Sequence, residues 1–94
     1  MQNMQKTTWS KRFMQITMYT TNVCSSCRMV KQYLATKGLK YSEINIQEQP
    51  DKASEAFNIS GQMSVPVVVI NRGDESPNVI VGYNLAKLAP AVSV

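Results

Sequence analysis

Apolar and polar residues alternate over Gln15–Tyr19 (QITMY), with Ile16 and Met18 on one side, and this period of two predicts a strand. A polar loop, Thr20–Ser26, follows. Cys27–Lys37 then sets Val30, Tyr33 and Leu34 at the i, i+3, i+4 spacing of a helix face, and Gly38, free to adopt positive φ, supplies its stop. Tyr41–Ile46 alternates again, with Ile44 and Ile46 inward. Pro50 fits the first turn of a second helix, with Asp51 and Glu55 near its positive end and Ala53, Ala56 and Phe57 along one face. Beyond a loop containing Gly61, the run Val67–Ile70 is continuously apolar, as in a strand buried on both faces. Asn71–Pro77 (NRGDESP) is dense in turn formers, and Asn78–Val81 is a short strand that Gly82 breaks. Asn84 suits the cap of a last helix through Leu85, Leu88 and Ala89, which Pro90 is expected to limit.

The predicted order is β-α-β-α-β-β-α, an α/β arrangement. Its first βαβ should be a right-handed parallel unit and its last two strands a hairpin, with helices covering both faces of the sheet. No internal repeat, linker or low-complexity tract interrupts it. The expected organisation is a flexible basic N-terminal arm over residues 1–14 and one domain over residues 15–94.

Composition supports a folded chain and narrows its chemistry. Of 94 residues, 44% are hydrophobic and 17% charged, which is globular composition, and the length suffices for one core. There is no histidine and there are two cysteines. The missing histidine removes Cys–His and Ser–His nucleophile pairs and every imidazole metal ligand. Two cysteines cannot close a four-ligand zinc or iron–sulfur site within one chain unless carboxylates or a second molecule complete it, so no metal site is expected.

The net charge of +4 is unevenly spread. Residues 1–40 hold seven basic residues and no acid, whereas residues 41–94 hold three basic and six acidic ones. One reading is a basic arm with a solvated helix face; the other is an electropositive surround for chemistry in the first half. Lys6, Lys11 and Arg12 flank Trp9, but a short basic arm gives only weak electrostatic attraction to nucleic acid, so no specific nucleic-acid partner is expected. Glu43, Glu48, Asp51 and Glu55 read as solvated surface. No apolar segment is long enough for a membrane span or a signal peptide, and the expected location is cytoplasmic.

Cys24-Ser25-Ser26-Cys27 is C-x-x-C directly after a strand and at the head of a helix. Thiols three positions apart there can close a small disulfide. The unpaired N–H groups and positive end of the helix stabilise a thiolate, lowering a cysteine pKa from ~8.5 into the ~3.5–7.5 range. Cys24, at the exposed end, is the expected nucleophile, and Cys27, one turn further in, the resolving thiol. Arg28 and Lys31 add positive charge nearby. The alternatives are two small buried apolar residues, half of a metal site completed by another molecule, or a redox-dead binding module.

With Met18-Tyr19-Thr20-Thr21 ahead of that motif, then Ser64-Val65-Pro66 and Gly82-Tyr83-Asn84, the chain resembles the glutaredoxin branch of the thioredoxin-fold redoxins over about residues 15–90. The resemblance implies a thioredoxin-like (glutaredoxin) fold, a four-stranded mixed sheet with helices on both faces. It implies a cis Val65–Pro66 peptide that turns the Val65 backbone toward Cys24, ready to pair with an extended substrate. Substrate contacts are then expected at Thr21, Ser64, Val65, Pro66, Gly82, Tyr83 and Asn84. The implied activity is reduction of protein disulfides or mixed disulfides by a monomeric dithiol carrier with no bound cofactor. Its electrons would come from glutathione, another low-molecular-weight thiol or thioredoxin reductase. The alternative function is a [2Fe–2S] carrier or scaffold assembled between two chains.

This sequence also departs from the family pattern. Ser-Ser replaces the Pro-Tyr common between the cysteines of dithiol glutaredoxins. Thr21 stands where many glutathione-using members have a basic residue, and Tyr83-Asn84 where they often have Gly or Cys followed by a polar or acidic residue. The departures point to glutaredoxin-like relatives that take electrons from thioredoxin reductase or another low-molecular-weight thiol, the ribonucleotide-reductase-serving and mycoredoxin-like types among them.

Overall fold

The computed structural model describes residues 14–73 and 76–92. The expected arm therefore lies, apart from Met14, outside the described residues, as do Asp74 and Glu75 of the NRGDESP turn. Strands β1 (Gln15–Thr20), β2 (Ser42–Asn45), β3 (Val67–Asn71) and β4 (Asn78–Val81) form one sheet in the order β2-β1-β3-β4. Helices α1 (Ser25–Thr36), α2 (Asp51–Ser60) and α3 (Leu85–Val92) complete the β-α-β-α-β-β-α order. β1 and β2 are parallel, as the crossover through α1 requires, while β3 pairs antiparallel with β1 and with β4.

The period of two sorts the strand residues onto two faces. Ile16, Met18, Val68, Ile70 and Ile80 pack with Val30 and Leu34 of α1 and Leu88 and Val92 of α3, and Met14 lies against this cluster. Tyr19 and Val67 pack with Ala56 of α2, and Ile44, Ile46, Val69 and Val81 flank them. Central strand β3 is thus apolar on both sides because a helix layer covers each. Of the residues expected along one face of α2, Ala56 is buried at 4% exposure, whereas Phe57 is 43% exposed.

Several element ends differ by a residue from the sequence expectation, Thr20 for instance closing β1 rather than opening the loop, and three differences have a local cause. α1 begins at Ser25 rather than Cys27, because Cys24 itself acts as the N-cap. β2 ends at Asn45 rather than Ile46. The Ile46 amide still bonds to the Thr20 carbonyl at 2.9 Å, but the Asn45 side chain then takes the Gln47 amide at 2.9 Å and bends the chain into a turn. Pro90 does not end α3, which continues to Val92. Its missing N–H deprives only the Ala86 carbonyl of a helical partner, buried Leu88 and Val92 anchor the last turn, and Arg72 Nη2 donates to the Ala91 carbonyl at 2.9 Å.

Candidate active site

The register of the sheet decides what comes together. Tyr19, next to last in β1, sits opposite Val67, the first residue of β3, which in turn faces Val81, the last of β4. The segments that follow β1, precede β3 and follow β4 therefore meet at one end of the sheet. These carry Thr21–Cys27, Ser64–Pro66 and Gly82–Asn84. Three stretches far apart in the chain converge on one site.

Cys24 and Cys27 form a disulfide, with Cα atoms 5.2 Å apart. Cys24 has extended backbone (φ −157°, ψ 101°), and its Sγ accepts the Cys27 amide at 3.1 Å. The sulfur thus does what a Ser or Asp oxygen does at other helix starts, meeting one of the unpaired N–H groups of the first turn. The Arg28 amide closes that turn onto the Cys24 carbonyl at 3.2 Å. Cys24 is half-buried, whereas Cys27 is only 2% exposed. A reagent from solution reaches the first sulfur before the second.

The Val65–Pro66 peptide is cis, Pro66 is buried, Val65 is half-buried and Ser64 is exposed. The Gly82 amide donates to the Pro66 carbonyl at 2.8 Å and ties two of the loops together. Gly82 has φ +81°, a left-handed conformation that side chains other than glycine's resist. Thr21 Oγ1 makes a long contact of 3.4 Å with the Val23 carbonyl. Asn84 Oδ1 accepts the Lys87 amide at 3.3 Å, so its side chain is engaged at the start of α3. Tyr83 projects from the same loop and is exposed.

Two polar networks brace this end of the sheet. Glu43 Oε2 accepts Lys31 Nζ and Thr20 Oγ1, each at 2.8 Å, joining α1, β2 and β1. The Lys31 hydrogen bond, with help from Thr20 and the ammonium charge, holds the Glu43 carboxyl below the usual range against a smaller opposing effect of burial. Lys31 is therefore a neutralised cation rather than a free one beside the thiols. Asn22, two residues before Cys24, is clamped to the turn after β2. Its amide donates to Gln47 Oε1 at 2.6 Å, and its Oδ1 accepts Asn45 Nδ2 at 2.7 Å.

On the other face the Tyr19 hydroxyl donates to Glu55, which also pairs with Lys52 at 3.4 Å. Glu43 and Glu55 are thus structural partners and not simply solvated surface. Sequence spacing shows the Lys52–Glu55 pair (i, i+3), but Glu43 meets Lys31 and Thr20 only through the fold.

Among the described residues no three of His, Cys, Asp and Glu come together, so a metal held at the cysteines would draw on ligands beyond them. Among the same residues no helix is long and apolar enough to cross a membrane.

Comparison with known proteins agrees with this geometry. A family model described as Glutaredoxin matches residues 16–74. A glutaredoxin-like 8.6 kDa protein from the rubredoxin operon of Clostridium pasteurianum is 32% identical over 73 residues, 78% of this chain and 91% of that one. The glutaredoxin of Archaeoglobus fulgidus superposes with a TM-score of 0.69 at 27% identity, covering 89% of this chain and 91% of the other. The glutaredoxin-like NrdH-redoxin of Escherichia coli, a protein with a thioredoxin-like activity profile, superposes with a TM-score of 0.65 at 30% identity, covering 82% and 93%.

Proposed function

The chain belongs to the glutaredoxin family, and from that membership and the site geometry we propose that it is a thiol–disulfide oxidoreductase that reduces protein disulfides or mixed disulfides. The observation that carries this reading is the inequality of the two cysteines. Cys24 is half-exposed at a helix N-cap with an N–H directed at its sulfur, and Cys27 is buried one turn behind it.

In the reduced chain the Cys24 thiolate attacks one sulfur of a substrate disulfide. A Cys24–substrate mixed disulfide forms and the other substrate sulfur leaves as a thiolate. The Cys27 thiol, losing its proton, attacks Cys24 Sγ and expels the second substrate sulfur. Two electrons have passed to the substrate, which takes up two protons, and the chain is left as the Cys24–Cys27 disulfide. With no histidine in the chain, thiolate stabilisation falls to the helix end and its N–H groups.

A dithiol reductase of this kind suits a reducing compartment such as the cytoplasm, and it needs no second chain. Val23 and Met63, 92% and 84% exposed beside the site, favour a protein substrate over a small thiol mixed disulfide. Thioredoxin reductase is the favoured electron source. Thr21 offers no positive charge to a glutathione carboxylate, Asn84 Oδ1 is already engaged, and the NrdH-redoxin of Escherichia coli has a thioredoxin-like activity profile.

The experiment supplies oxidised protein either with thioredoxin reductase and NADPH or with glutathione, glutathione reductase and NADPH, and follows insulin reduction. Turnover with the first system, lost in Cys24→Ser, is the expected result. Turnover with glutathione alone overturns the choice of reductant, and full activity in Cys24→Ser overturns the assignment of the nucleophile.

A further inference from the structure

Helix α1 carries two cations close to the cysteines, and they stand differently. Lys31 follows Cys27 by four residues, and its ammonium is taken up by Glu43 at 2.8 Å. Arg28 follows Cys24 by four residues, is exposed, and forms no ion pair among the described residues. Side chains on a helix lean toward its N-terminus, so Arg28, in the first turn of α1, is directed toward the Cys24 end.

The three converging segments add no carboxylate to pair with that charge. No carboxylate occurs before Glu43, and none lies in Gln62–Pro66 or Gly82–Asn84. Glu48 and Asp51 follow β2, in and beyond the turn that holds Asn22, and form no ion pair among the described residues. Flanking the same end of the sheet are the exposed apolar residues Val23 and Tyr83, from two of the converging segments, and Met63, immediately before the third.

We propose that this surface selects an extended partner segment in which the reducible cysteine has an apolar residue and a carboxylate close by. The apolar residue rests on Val23 and Met63, and the carboxylate meets the Arg28 guanidinium. The preference rests on the disulfide-reductase reading above and adds to it the chemistry of the preferred partner. An exposed ion pair gives roughly a two- to fivefold effect, so the selection is a bias rather than an absolute requirement.

The test uses three peptide disulfides alike except for an acidic, neutral or basic residue beside the cysteine, and compares kcat/KM at low salt. The expected order is acidic, neutral, basic. Raising the salt to about 1 M, where the Debye length is near 3 Å, should bring the three together. Arg28→Glu should invert the order, and because the three peptides are compared on one variant, any change in Cys24 reactivity cancels. Val23→Ser and Met63→Ser should raise KM for all three peptides while keeping their order. Equal turnover of the three peptides by the native chain, or an order unchanged in Arg28→Glu, overturns the acid preference alone. An unchanged KM in both serine variants overturns the apolar seat. Failure to turn over any of the peptides with Cys24 intact overturns the reductase reading, and the preference falls with it.

Discussion

The Gly82 amide donates to the Pro66 carbonyl at 2.8 Å, so the loop after β4 is pinned to the cis-proline loop at the site. That contact depends on Gly82 holding φ +81°, where an added Cβ would meet no atom within 4 Å but the backbone itself would be strained. Gly82→Ala is expected to lower stability by about 1–2 kcal/mol, the usual left-handed penalty, without a steric clash. Turnover of protein disulfides should fall with it as the pinned loop shifts. Denaturant unfolding and insulin reduction check both, and a variant as stable and active as the native chain would contradict the argument.

Glu43 serves two donors, and its replacements separate them. Glu43→Gln keeps an oxygen for the fully buried Thr20 hydroxyl and loses only a half-exposed ion pair, an expected loss of about 1 kcal/mol or less. Glu43→Ala leaves Thr20 Oγ1 unsatisfied in the interior, an expected loss of about 1–3 kcal/mol. The folded carboxyl sits below its ordinary value of 4.5, so its contribution is complete above that pH and disappears as pH falls through the folded value. Chemical unfolding between pH 3 and 6 should show a shallower pH dependence in Glu43→Gln.

Tyr19 predicts the opposite limb. Burial, reinforced by its hydrogen bond to Glu55 and that group's charge, raises its pKa from 10.0 to about 12. Between these values the unfolded chain releases a proton that the folded chain keeps, so stability falls as pH rises through the window. Tyr19→Phe removes this proton, and its alkaline unfolding curve should be flatter than that of the native chain over the same range.

Much of the fold was legible because it rests on local patterns. Ile16 with Met18 gave β1 its faces, Val30 with Leu34 gave α1 its inner stripe, and the run through Val67–Ile70 marked a strand covered on both sides. Cys24 and Cys27 were legible for the same reason, being three positions apart in the chain and fixed by one helix turn. The Glu43–Lys31–Thr20 and Asn22–Asn45–Gln47 networks were not. Their members are separated by a whole helix and strand, and their types are those of ordinary surface. Pro90 misled because a proline signals a helix end only where tertiary packing does not hold the following turn.

The central claim is that Cys24 attacks and Cys27 resolves, and trapping tests it most directly. Each single serine variant leaves one cysteine. Reduced Cys27→Ser incubated with a protein disulfide should accumulate a stable mixed disulfide through Cys24, visible as a covalent adduct by non-reducing mass spectrometry. Reduced Cys24→Ser, whose remaining thiol is buried, should accumulate little or none. An adduct that forms equally fast in both variants, or only in Cys24→Ser, would contradict the account.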